Sequence, residues 1–206
     1  MNVLIYDAPV TLAHFVKSAL LSQGHRAAIS SDPEDAALKL STSLFDAMVF
    51  GPGAAPRELA DFVQGEFPNL PIVLAGVPVA IPACGQVAAV LPAPLSAHRL
   101  LMAFRRLRQE RQERIERLPV QLAAEGLAIA CRLADITPES MILAGESDAF
   151  HRHFETHPTH VQALVAGRSL GGEVAQIRRD LPRQMSRVDV RLSEGGAREV
   201  LAALVR

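Results

Sequence analysis

Three groups of residues in this chain have types and spacing suited to chemistry. The segment HRHFETHPTH holds four of the seven histidines, His151, His153, His157 and His160. Imidazole is the commonest metal ligand near neutral pH, and His153 and His157, four apart, would share one face of a helix. Pro158 interrupts the segment before His160, and no Cys or acidic ligand motif complements it elsewhere. His153 and His157 are therefore weak metal candidates, set against an exposed polar connector. A proton switch on the same residues would titrate near pH ~6.5. The second group is a run of arginines, Arg105, Arg108, Arg111, Arg114 and Arg117, interleaved with Glu110, Glu113 and Glu116. The third is the set of residues that follow short apolar runs: Tyr6-Asp7-Ala8, Phe50-Gly51, Ala75-Gly76 and Pro92-Ala93-Pro94. Nowhere does the sequence set a nucleophile, a base and oxyanion donors together, so the expectation is a protein that is not an enzyme.

The elements that would position these residues fall into two halves. From residue 2 to about 107, strand and helix signals alternate. NVLIY, HRAAIS, FDAMVF, LPIVLAG and AAVLP read as strands. PVTLAHFVKSALLSQG places Leu12, Phe15, Val16, Ala19 and Leu20 on one helical face, with Gly24 beyond its end. DPEDAALKLST begins at a cap on Ser31 or Asp32, with Pro33 in the first turn, and APRELADFVQGEF is a third helix. SAHRLLMAFRRLRQ, capped by Ser96, opens the fifth helix of the alternation. Five apolar strands alternating with helices mean a doubly wound parallel sheet covered on both faces, with any site beyond the carboxyl ends of the strands.

The order and spacing over roughly residues 1–107 resemble the chemotaxis-type receiver domain of bacterial response regulators. FDAMVFGP is similar to that family's PDLVLLDxxMP-like stretch, and LPAPLSAHRLL to its VKPF…ELL stretch. The family carries an acidic pair after strand one, a phosphoacceptor Asp after strand three, Thr or Ser after strand four, and Lys-Pro after strand five. The resemblance places Gly51 at the acceptor and Ala93 at the lysine, with Pro94 retained. Asp7 is the sole remaining acid, its neighbour being Tyr6 or Ala8 according to register, and the switch hydroxyl is gone. Phosphoryl transfer needs a nucleophile, carboxylates that hold a metal, and cations on the equatorial oxygens. The expectation is an atypical, phosphorylation-incompetent receiver fold with no catalytic residue.

The run RRLRQERQERIERL should continue the fifth helix to about residue 116, where Pro119 stops it. Glu110 to Arg114 and Glu113 to Arg117 are favourable pairs four apart. Residues 108–118 thus read as a charged helical linker. Leu100, Phe104, Leu107, Ile115 and Leu118 offer a homodimer seam through the fifth helix and linker, interrupted by Arg111 and Arg114. The interleaved glutamates weigh against DNA contact.

Residues 119–206 change to strand-like runs: PVQLAAEG, LAIACRLADI, SMILAG, HVQALVA, SLGGEVAQIRRD and SRVDVRL, closed by a helix on AREVLAAL. In SRVDVRL, Val188, Val190 and Leu192 alternate with charged residues, the period of a half-buried strand. About six such strands suggest an antiparallel β-barrel. VQL…CRLADITPESMIL, GGEVAQI and RVDVRL together resemble a PilZ domain, the six-stranded barrel that binds cyclic di-GMP in many bacteria. Its motif is RxxxR before the first strand and D/N-x-S-x-x-G between later strands. The resemblance gives Asp135, Thr137 for Ser and Ser140 for Gly; before the first strand no arginine pair is four apart, Arg111, Arg114 and Arg117 being three apart, which leaves Arg114 and Arg117 as the phosphate-gripping candidates. Two readings stand: a cyclic di-GMP pocket on Arg114, Arg117, Asp135, Thr137 and Ser140, or a plain strand-to-strand turn in DITPES.

Composition bounds the partners. With 206 residues, 49% apolar, and a net charge of −1, the chain can build two cores but has no global basic field for nucleic acid or anionic membrane. No apolar run is long enough to insert in a membrane, and the amino terminus lacks a secretory pattern, so a cytoplasmic protein is expected. Cys84 and Cys131 are isolated, and no Trp and one Tyr argue against base stacking. The leading expectation is a signalling adaptor that requires no cofactor and meets a signalling protein partner. The alternative is a cyclic di-GMP receptor.

Overall fold

The runs NVLIY, AMVF and IVLA are buried along almost their whole length, as strands covered on both faces must be. The computed structural model describes residues 1–6, 8–53, 57–76, 87–124, 127–137, 139–146, 160–180, 185–193, 197 and 200–201. The chain divides into two compact units, Met1–Gln109 and Glu110–Leu204, with the division inside a helix.

In the first unit the elements run β1 (Asn2–Tyr6), α1 (Val10–Leu21), β2 (Arg26–Ser30), α2 (Pro33–Thr42), β3 (Ala47–Phe50), α3 (Arg57–Glu66), β4 (Ile72–Ala75), β5 (Val87–Leu91) and the start of α4 (Ala97–Glu116), whose residues from Glu110 belong to the second unit. All strand pairs are parallel, in the order β2-β1-β3-β4-β5. This is the flavodoxin-like doubly wound order, in which helices cover both faces. A helix between β4 and β5 would fall on residues 77–86, outside the described residues, so the fifth helix of the sequence reading is α4 here.

The two-residue period of β1 sends Val3 and Ile5 to one core and Leu4 and Tyr6 to the other. On the first side Ala13, Val16 and Leu20 of α1 and Leu100, Phe104 and Leu107 of α4 cover the sheet. On the second side Ala36 and Leu40 of α2 and Leu59 and Val63 of α3 do so. Phe15, expected on the inner face of α1, is instead 38% exposed, because Ala13, Val16 and Leu20 define the buried stripe. Asp32 is the cap of α2, its carboxylate accepting from the N–H groups of Glu34 and Asp35 at 3.3 Å each. Ser96 caps α4 through the Arg99 N–H at 3.3 Å.

Of the five residues of the apolar seam, Leu100, Phe104, Leu107 and Ile115 are buried within the chain and Leu118 is half-buried.

The second unit is a closed antiparallel barrel of β6 (Pro119–Ala124), β7 (Leu127–Ile136), β8 (Ser140–Glu146), β9 (His160–Val165), β10 (Arg168–Asp180) and β11 (Met185–Leu192). Its strand order is β10-β11-β8-β7-β6-β9, with β9 returning to β10. Closure gives every strand a neighbour on both sides, each over part of its length. Strict alternation fills the interior with Val161, Ala163 and Val165 from β9 and Val188 and Val190 from β11, beside Leu122, Leu133 and Leu143. Bulges interrupt β10 between Val174 and Gln176 and β7 between Leu133 and Asp135. Residues 197, 200 and 201 are helical, on the segment read as a closing helix.

Candidate functional site

The first candidate place is the carboxyl end of the parallel sheet. Register aligns Tyr6 with Phe50, Phe50 with Leu74 and Ala75 with Leu91. The Tyr6 and Phe50 rings meet edge to face, centroids 5.5 Å apart, and both are buried. Gly51 follows Phe50, is itself buried, and donates its N–H to the Tyr6 carbonyl at 2.8 Å. Gly76 follows β4 with φ +72°, a left-handed conformation that favours glycine, and its N–H donates to the Leu91 carbonyl at 2.7 Å. A Cβ there would touch Leu12 Cδ2 at 3.4 Å. Ala93 is exposed and joined to Pro94 by a cis peptide bond. Asp7 lies outside the described residues. The described ends of β1, β3, β4 and β5 thus present aromatic rings, glycine backbone and alanine, a set with no nucleophile and no cation.

The second place is the β7–β8 turn together with the last turns of α4, all within the barrel unit. Thr137 and Ser140 close the turn on each other. The Thr137 N–H donates to the Ser140 carbonyl at 2.7 Å, the Ser140 N–H donates to Thr137 Oγ1 at 3.0 Å, and the two hydroxyls are 2.9 Å apart. Asp135 Oδ1 accepts from the Ile136 N–H at 2.8 Å. The hydroxyls and the carboxylate named by the motif therefore serve the local backbone, as Asx- and Ser/Thr-type turns do.

The guanidinium that reaches this turn is that of Arg111. Its Nη1 is 3.8 Å from Asp135 Oδ1, and its Nη2 donates to the Ile136 carbonyl at 3.4 Å. Next to it, Gln112 Nε2 donates to the Ala134 carbonyl at 2.5 Å. Arg114 is exposed, and Arg117 is 80% exposed, 4.0 Å from Glu113. The spacing argument selected Arg114 and Arg117 and passed over Arg111 and Gln112. The signal was Ile115, the apolar residue within the charged run: it is fully buried, and Arg111 stands one turn before it on the same face.

Burial pushes the Cys131 thiol up to about 11, which removes thiolate at neutral pH. Burial likewise holds His25 below its ordinary value, helped by the Met1 amine, 3.3 Å from Nδ1, and by Arg108, and opposed by Asp46. The carboxyl of Asp35 is held below the usual carboxylate range by its hydrogen bonds from Lys39 and Ser30. His153 and His157 lie outside the described residues; His160 is exposed, its Nδ1 3.5 Å from Glu173. Among the described residues no group of three or more His, Cys, Asp or Glu could hold a metal ion, and no helix is long and apolar enough to cross a membrane.

No protein-family model and no curated protein matches the chain. Among solved structures the chain is similar to the signal receiver domain of an HD domain-containing protein from Pseudomonas fluorescens Pf-5, at 16% identity and a TM-score of 0.48 over 53% of this chain and 94% of that one. It is also similar to the chemotaxis response regulator CheY4 of Vibrio cholerae, at 19% identity and a TM-score of 0.44 over 52% and 97% of the two chains. The receiver domain of Francisella response regulator 1452 follows at 18% identity and a TM-score of 0.45 over 53% and 97%.

Proposed function

We propose that this protein is a non-enzymatic bacterial signalling adaptor, in which a receiver-like unit without phosphoacceptor chemistry and a PilZ-like barrel act by protein–protein contact. The observation that carries the reading is the buried Gly51, whose N–H is tied to the Tyr6 carbonyl beside the Tyr6–Phe50 ring pair. An aspartyl phosphate needs a carboxylate there, open to a metal and to a cation. Glycine in an apolar surround supplies neither, while the two cores of the sheet keep the scaffold intact. Such a unit signals through its surface.

The competing reading is a cyclic di-GMP receptor. In its favour, Arg111 brings a guanidinium to Asp135 at the motif's position. Against it, Thr137 and Ser140 are already bonded to each other, and Asp135 to the Ile136 N–H. Two measurements on the full chain decide. Exposure to acetyl phosphate and magnesium, read by intact mass, is expected to add no phosphoryl group, and calorimetry with cyclic di-GMP to give no heat of binding. A hydroxylamine-sensitive phosphoryl group ends the adaptor reading for the first unit. Micromolar cyclic di-GMP binding, lost in Arg111→Ala or Asp135→Ala, replaces it with the receptor reading. Crosslinked capture from the native cell is expected to yield a stoichiometric protein partner.

A further inference from the structure

On the outside of the barrel, three arginines share one row across four neighbouring strands. Arg132 of β7 stands opposite Ala144 of β8, Ala144 opposite Arg187 of β11, and Arg187 opposite Arg178 of β10. The adjoining Leu133, Leu143 and Val188 point inward and are fully buried, so the row faces outward; Arg132, Arg178 and Arg187 are exposed. Like charges directly opposite on antiparallel strands repel, so the Arg178–Arg187 pair opposes folding. Among the described residues only part of that repulsion is relieved. Arg178 is held by Gln176 Oε1, at 3.1 Å from Nε and 2.8 Å from Nη2, and lies 3.5 Å from Asp189. Among the described residues Arg132 and Arg187 have no ion-pair partner. They flank Ala144, the one short side chain in the row.

We propose that this row is the docking surface for an extended acidic segment of a partner protein. The proposal gives the adaptor reading a partner chemistry and rests on it. Three features select the occupant. First, guanidinium forks match carboxylates bidentately, and the row spans about 14 Å at the usual strand spacing, the reach of a few extended residues. Second, the outside of a closed barrel is convex, so a small anion would not be enclosed as ligands in pockets are. Third, the next outward row carries Asp189 and Asp135, which face each other across Ile142. Those acids keep an anion from spreading over that side of the row. A nucleic-acid duplex would lie over them, whereas a single peptide strand keeps to the arginines.

The test is fluorescence anisotropy on the full chain with a dye-labelled peptide of alternating Glu and Ser. The wild type is expected to bind it, less tightly as salt rises, and to ignore the peptide with Gln for Glu. Arg132→Gln with Arg187→Gln is expected to weaken binding about tenfold or more, while Arg99→Gln, an exposed arginine of the first unit, leaves it unchanged. The thermal melt of the double variant is expected to equal or slightly exceed that of the wild type, since the row is solvent-facing and the Arg187 change relieves its repulsion with Arg178. Equal binding by the double variant overturns the proposal. So does tighter binding of labelled single-stranded DNA than of the peptide with the same arginine dependence, which makes the row a nucleic-acid surface. Crosslinked capture separates the two levels. A native partner held equally by wild type and double variant removes this surface and leaves the adaptor reading; no partner for the wild type removes both.

Discussion

The N–H of Gly51 donates to the carbonyl of Tyr6 at 2.8 Å, so β3 stays bonded to β1 one step beyond its last strand residue. A carboxylate added at this position is not expected to take a phosphoryl group. Gly51→Asp puts a carboxylate in buried surroundings beside Tyr6 and Phe50, with Ala93 supplying no cation. The variant should remain unphosphorylated by acetyl phosphate and lose about 1–3 kcal/mol of stability in urea. Labelling of the variant would mean that the metal and cation sites have persisted in other residues.

Gln112 joins α4 to the barrel through the Ala134 carbonyl at 2.5 Å. Gln112→Ala leaves that carbonyl without its donor and should cost about 1 kcal/mol. Gln112→Glu should cost at least as much, because a carboxylate cannot donate to a carbonyl. Arg114→Ala, on the exposed side of the same helix, should stay within about 0.5 kcal/mol of the wild type. Urea midpoints of the three variants check the contrast. Equal losses at 112 and 114 would show that the helix end does not depend on this bond.

His25 gives the first unit a defined acid sensitivity. Its pKa is lowered in the folded chain, chiefly by burial and then by the Met1 amine and Arg108, with Asp46 opposing. The unfolded chain takes up this proton near pH ~6.5, before the folded chain does, so protons favour unfolding. The stabilising contribution is complete above that pH and is lost as pH falls through it toward the folded value. Asp35 has a lowered carboxyl pKa, so its contribution disappears only further down, below the usual carboxylate range. Urea midpoints should fall between pH about 7.5 and 5.5, and His25→Gln should flatten the fall. An equal slope in the variant would assign the sensitivity elsewhere.

The sheet was legible because buried parallel strands need continuous apolar runs, which NVLIY, FDAMVF and LPIVLAG supply. The barrel was legible from period-two alternation, clearest at Val188, Val190 and Leu192. Phe15 was misplaced because α1 has more apolar residues than its inner stripe can bury. Arg111 was missed for a related reason. Three-residue spacing was compared with a sequence motif, whereas helical geometry around Ile115 determines which side chain meets β7. The arginine row was beyond reach, since Arg132, Arg178 and Arg187 become neighbours only through the register of four strands.

Gly172 tests that register directly. It lies in β10 opposite both Leu192 of β11 and Val161 of β9. A Cβ at this position would sit 2.5 Å from the Arg191 carbonyl oxygen and 2.7 Å from Val190 Cγ1. The first of these atoms is backbone and cannot move without parting β10 from β11, next to the bulge at Val174/Gln176. A Cβ on the neighbouring Gly171 would have, among the described residues, only Ser193 Oγ near, at 3.7 Å. In the unfolded chain both Gly→Ala changes reduce conformational freedom alike, an effect that favours folding by about 0.4–1 kcal/mol where the native backbone accepts alanine. Gly171→Ala should therefore be neutral or stabilising, and Gly172→Ala should destabilise by about 1–3 kcal/mol through overpacking. Opposite signs from adjacent glycines in one urea series are the signature of the close approach. Matching signs would show that β10 is paired in another register, and the row formed by Arg178 and Arg187 would go with it.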